Sequence, residues 1–193
     1  MQAIAPTVVI DNGMHTGTGT YAVMADLAGV TGRMAVFEAR YQAQIAQIRR
    51  ILDTGNTRVS LIDTFDGVLW SAYQFGALGQ VLRDSGFQFP RIVEDTGIGG
   101  EVELSPEQLT ELDADFVFMQ YRNDIDQTPQ DVHAAMEAAV PGYCDFLVAC
   151  QRNQFIVVPR DEAVATSYYT LGLMAMTVLS HLSGVRIETG PAN

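Results

Sequence analysis

The side chains able to do chemistry in this 193-residue chain are few and scattered. His15, His133 and His181 stand far apart, in neither HxxxH nor HExxH spacing, so their pattern proposes no metal site. Asp63 and Asp66 follow a strand candidate, a position where an α/β enzyme often carries its catalytic acid. Spacing sets no histidine, lysine or nucleophile beside them, and turn or capping duty accounts for both. A GxSxG elbow is absent. The stretch His15-Thr16-Gly17-Thr18-Gly19-Thr20 fits neither GxGxxG nor a phosphate-binding P-loop, and reads as a plain loop. Cys144 and Cys150 are too few for a disulfide framework. On one continuous helix they would lie about 240° apart, so a bridge requires a break between them. Two buried free thiols are the expected state.

Binding chemistry is better supplied. Phe65, Trp70 and Tyr73 crowd one loop after a strand, where aromatic faces can stack on a flat or apolar ligand. Packing a helix onto a sheet is the alternative use of Phe65 and Tyr73. Arg122 follows the apolar run FVFMQ and can offer a two-pronged fork to a carboxylate or similar anion, unless Asp124 or Asp126 takes it.

Composition narrows the ligand classes. There are 23 acidic against 11 basic residues, all arginine, for a formal charge of −12. Basic residues cluster no further than Arg49-Arg50, which argues against a nucleic-acid surface and requires any anion to be held by locally placed arginines. With 48% apolar and 18% charged residues and mean hydropathy +0.10, the chain is expected to fold, and no apolar run reaches the ~18 residues of a membrane span. The start MQAIAPTVVIDNG has no cationic or long apolar region of a signal peptide.

The elements that would position these residues follow from pattern. Thr7 to Ile10 is a short strand candidate, and Tyr21 to Ala28 a short helix. Met34, Phe37, Tyr41, Ile45, Ile48 and Leu52 step by three or four and draw one stripe along a helix of ~19 residues, roughly 28 Å. Beyond Gly55, strands at 58–63, 91–93, 116–120 and 155–158 alternate with helices at 69–85, 105–112, 131–140 and 167–182. Alternation with solid apolar strands predicts a three-layer α/β/α, doubly wound and mainly parallel sheet. Ligands of such sheets sit beyond the carboxyl ends of the strands, which selects loops 64–70, 94–104, 120–130 and 159–166. Leu104-Ser105-Pro106-Glu107-Gln108 reads as a capping box with proline at the first helical position. Glu107 then interacts favourably with the helix dipole, which by itself explains an acid there.

Taken in order, IAPTVVI, the helix from Tyr41 to Leu52, RVSLID with its aromatic loop and LGQVLRDSG, Gly99-Gly100 with VELSPEQLTELDADFVFMQ, LVACQRNQFIVVP and SYYTLGLMAMTVLSHL resemble class III periplasmic substrate-binding proteins of ABC importers. Those proteins serve ferric siderophores, haem and cobalamin. The resemblance implies a remnant of an N-terminal lobe at 1–32, a rigid interlobe helix at 33–55 and a C-terminal Rossmann-like lobe at 56–193. It further implies a non-enzymatic, periplasmic or cell-envelope solute-binding role with no cofactor beyond iron inside the bound chelate. Phe65, Trp70, Tyr73, Glu101, Tyr121, Arg122 and Arg160 would line the ligand, the two arginines neutralising an anionic ferric complex. Glu107 would meet arginines of the membrane permease. Most of an N-terminal lobe is missing relative to that family, so the helix at 34–52 and the strand at 7–10 are expected to lie exposed or to pair with a second copy. Two rivals are a small α/β enzyme using Asp63 or Asp66, and a truncated interaction domain that binds no ligand.

Overall fold

The structure, a computed structural model, describes residues 7–10, 17–65 and 67–184, with the side chains of Gly17 and Phe65 outside that description. The segment 11–16, including the Asp11-Asn12-Gly13 turn and the start of the threonine–glycine stretch, also lies outside it, as does Asp66.

Two helices open the described chain, α1 (Gly17–Leu27) and α2 (Thr31–Ile51). They are followed by β1 (Val59–Leu61), β2 (Asp63–Phe65), β3 (Val68–Ala72), α3 (Gly76–Ser85), the single turn α4 (Arg91–Glu94) and β4 (Glu101–Leu104). A 3-10 helix at Pro106–Leu112 leads to β5 (Phe116–Tyr121). Then come α5 (Pro129–Ala139), α6 (Tyr143–Phe146), α7 (Val148–Gln151), β6 (Phe155–Pro159), α8 (Arg160–Val164) and α9 (Tyr168–Ser183).

β1, β5 and β6 form a parallel sheet in that order, with Val59 opposite Phe116 and Val117 opposite Phe155. β2, β3 and β4 form an antiparallel sheet. The two sheets share one extended stretch, because β1 runs into β2 through Ile62, whose N–H donates to the Phe118 carbonyl at 2.9 Å. Gln88 adds a further parallel bridge beside Arg58.

Side chains alternate across β5 and so divide the core. Phe116 and Phe118 join Val59, Leu61, Ile156 and Val158 under α2, α3 and α9. Val117 and Met119 join Ile62, Leu69, Val132, Met136 and Leu147 on the opposite face, with Leu109 and Leu112 of the 3-10 helix. Both faces are covered, as a parallel sheet requires and as the apolar strands predicted.

Several expectations need correction. Residues 7–10 form no strand, and Val8 and Val9 are exposed. The helix expected from Leu69 begins only at Gly76, because Val68 to Ala72 is drawn into the hairpin ladder between β2 and β4. The strand expected at 91–93 is the helical turn α4; Ile92 and Val93 alone carry too little periodicity, and Pro90 starts the turn. Ser105 to Leu112 does form a helix, but a 3-10 one, with the capping box in place. Cys144 and Cys150 are bridged, their Cα atoms 5.0 Å apart, not free thiols. The break that a bridge requires is Leu147, in extended conformation between α6 and α7.

The long helix α2 has 21 residues, about 31 Å. Its apolar stripe is buried only from Tyr41 onward, with Ile45 and Ile48 each 1% exposed. Val36 at 68% and Phe37 at 46% stand in solvent, because α9 begins at Tyr168, the residue that stacks on Phe37.

Candidate functional site

The carboxyl ends of the strands bring together a small polar pocket. β2 starts with Asp63, and Gln120 stands near the end of β5. The Gln120 amide Nε2 donates to Asp63 Oδ2 at 2.8 Å. Gln120 is only 7% exposed, and its Oε1 finds no partner among the described residues. These two residues, with Arg122, Gln127 and Arg160, line a cavity of about 240 Å³. Arg160 opens α8 directly after β6, so three strand ends contribute to one pocket.

Arg122 is committed inside this arrangement. Its Nε and Nη2 donate to the two oxygens of Asp124, at 3.2 and 2.7 Å. The pairing raises the guanidinium pKa and holds the Asp124 carboxyl below the usual range, in each case chiefly through that hydrogen bond. Of the two uses foreseen for Arg122, the pairing with Asp124 is the one present. Tyr121, half-buried, sits opposite Pro159 of β6.

The expected aromatics do not share this pocket. Trp70 lies on β3 opposite Asp63 in one register and Glu103 in the other, tilted on Phe75 at 5.3 Å between ring centres. Its indole N–H donates to Glu101 Oε2 at 3.3 Å, joining two predicted residues on adjacent strands. Phe65 ends β2.

Tyr73 faces a second, larger cavity of about 850 Å³ on the flank between α1 and α3. Gln74, Gln80, Arg83 and Thr166 line it too; only Thr166 falls in a loop selected from the strand ends, and none was named as a site residue. Arg83 is held between the rings of Tyr73 and Phe89, its Cζ 3.6 and 4.0 Å from their centres. Its Nε donates to the Tyr73 carbonyl and its Nη1 to Glu94, both at 2.7 Å. The sandwich forms within residues 73–94, where no motif or periodic pattern relates the three positions. Gly76, at φ +59°, also lines this cavity, and a Cβ there would run into the backbone of Ala163 and Val164. Gln120, by contrast, had a signal: it is the one polar residue ending an apolar strand.

Glu107 stands apart from both cavities, exposed on the first turn of the 3-10 helix. Its carboxyl is held below the ordinary range by its own backbone N–H and then by the Ser105 hydroxyl. Among the described residues no group of three or more His, Cys, Asp or Glu side chains could hold a metal ion, and no helix is long and apolar enough to cross a membrane.

No protein-family profile and no curated protein sequence matches the chain. Solved structures do match, and they define the architecture: a single α/β lobe of the FhuD fold, the fold of siderophore periplasmic binding proteins. One is FhuD2 of Staphylococcus aureus with bound ferrioxamine B, with TM-score 0.73 and 18% identity over 95% of this chain and 71% of that one. A Bacillus subtilis FhuD-fold protein, described as the periplasmic binding component of a Fep/Fec-like ferrichrome ABC transporter, gives TM-score 0.75 and 16% identity over 94% and 67%. The siderophore periplasmic binding protein of the fuscachelin gene cluster of Thermobifida fusca gives 0.65 and 19% over 86% and 59%. At these identities the likeness establishes the fold, and the chain corresponds to only part of each neighbour.

Proposed function

We propose that this chain is a solute-binding lobe of an ABC importer, taking up a ferric siderophore or a related iron or cobalt chelate. The observation that carries the reading is the polar pocket at the strand ends, where Asp63, Gln120, Arg122 and Arg160 converge in a fold whose neighbours are described as siderophore-binding. The chelate would bring its own iron, so the pocket needs no protein ligands for metal. Trp70, Tyr73, Glu101 and Tyr121 lie outside the pocket lining and would contact the parts of a ligand larger than the pocket. Phe65, at the end of β2, would extend it. Glu107, exposed and ionised, would meet the permease. The Cys144–Cys150 bridge supports work in an oxidising compartment such as the cell envelope.

Residues 1–32 and 33–55 would be the trailing part of a second lobe and the strut between lobes. Their apolar exposure at Met24, Leu27, Val36 and Phe37 supports pairing with a second copy of the chain. Sedimentation velocity would show a concentration-dependent dimer, and a monomer at every concentration refutes the pairing.

The principal test titrates the chain with ferric siderophores, haem and cobalamin, following Trp70, the only tryptophan, and heat release by calorimetry. Saturable binding of one chelate class is expected. Silence in both signals for every chelate refutes the proposed function.

A further inference from the structure

We infer that the flank cavity between α1 and α3 is a binding site of its own, for a neutral, hydroxyl-rich small molecule of the sugar class. It is separate from the strand-end pocket, with which it shares no lining residue, and it neither needs nor excludes the chelate role. Its volume of about 850 Å³ suits a small-molecule ligand.

Its walls are mostly amides and hydroxyls: Thr18 and Tyr21 of α1, Gln42 of α2, Gln74 before α3, Gln80 within it, and Thr166 before α9. Much of their bonding capacity is unspent. The Gln74 side chain has no hydrogen-bond partner among the described residues. Gln42 and Gln80 use their amide N–H groups, the first toward Glu38 and the second toward Thr18 and Asp84, which leaves both amide oxygens as acceptors. Thr18 accepts from Gln80 at 3.3 Å, so its own hydrogen is free to donate. Tyr21 and Thr166 share a hydroxyl–hydroxyl bond of 3.4 Å, long enough to be given up readily to a ligand.

The charges of the lining cancel and are already engaged. Arg83 and Asp84 are the only ionised side chains among its described residues. Arg83 gives Nε to the Tyr73 carbonyl and Nη1 to Glu94, and its plane lies between the Tyr73 and Phe89 rings. Its Nη2 is buried and presents no donor to the cavity. Asp84 Oδ2 accepts from Tyr41 at 2.6 Å as well as from Gln80. A charged ligand would therefore lose hydration without meeting a free counter-charge. A sugar hydroxyl both donates and accepts, as these amides and hydroxyls together do. Ile98, 69% exposed, borders the cavity between Gly97 at φ +71° and Gly99 at φ +78°, and offers an apolar contact to the C–H face of a sugar ring.

Calorimetry on the intact chain compares glucose, maltose and maltotriose with glucose 6-phosphate, glucosamine and an uncharged peptide, N-acetyl-trialanine amide. At least one neutral sugar is expected to bind saturably, about tenfold or more tighter than either charged sugar or the peptide. Gln74→Leu, at an exposed side chain without a partner, should weaken that sugar about tenfold and leave the urea midpoint of unfolding unchanged. Saturating ferrichrome should leave the sugar's affinity unchanged. Absence of saturable sugar binding, equal binding of a charged sugar or the peptide, or a sugar affinity unmoved by Gln74→Leu overturns the inference, whatever the chelate titration gives. A sugar displaced by ferrichrome overturns it as well, because the cavity would then belong to the chelate site.

Discussion

The two halves of α2 carry similar residues and meet different fates. Tyr41, Ile45 and Ile48 are sealed against α3 and α9, whereas Met34, Val36 and Phe37, continuing the same run of turns, remain partly or largely in solvent. Nothing in the helix itself distinguishes them. The boundary lies where α9 starts, at Tyr168, whose ring touches Phe37 and Tyr41 and whose hydroxyl donates to Glu38. Periodicity therefore reports which side of a helix can be buried, while neighbours decide how much of it is.

That contrast can be challenged by substitution. Ile48→Ala, in the sealed half, is expected to lower unfolding free energy by about 2–5 kcal/mol in urea titrations. Tyr41→Phe removes the hydroxyl that donates to Asp84 at 2.6 Å, a bond to a charged group worth about 1.5–3 kcal/mol. The same residue gives the lower half a pH signature. Burial, then the bond to Asp84, raises the Tyr41 pKa above its ordinary value, so its stabilising contribution is complete below pH ~10 and declines as pH rises further. Urea midpoints at neutral and strongly alkaline pH should therefore diverge less in Tyr41→Phe than in the parent. Phe37→Ala, at the boundary, should cost about 1 kcal/mol, the value of a ring pair. Val36→Ser, in the exposed half, should leave stability within about 0.5 kcal/mol while weakening the dimer in sedimentation. A cost at Val36 comparable with that at Ile48 would erase the distinction between the halves.

The layered α/β architecture was legible because its evidence is local: apolar runs such as FVFMQ and FIVV, the capping box at Ser105, and Gly86 closing α3. The β2–β3 hairpin was not, since LWSA read as the start of a helix and was decided by strands on either side. The candidate site was legible in part. Strand-end logic located Arg122 and Arg160, and Asp124 was one of two partners weighed for Arg122, but the Gln120–Asp63 bond spans 57 residues, a separation that no spacing records. The cysteine bridge depended on a helix break at Leu147 with no glycine or proline to mark it.

Ile62 is where one extended stretch leaves β5 and joins β3. Chain cut at Gly67 would put β1 and β2 on one fragment, and β3, β4, β5 and β6 on the other. Neither fragment would retain a complete sheet, since each holds strands whose hydrogen-bond partners lie on the other. A break in that one connection would therefore open an edge in both sheets at once.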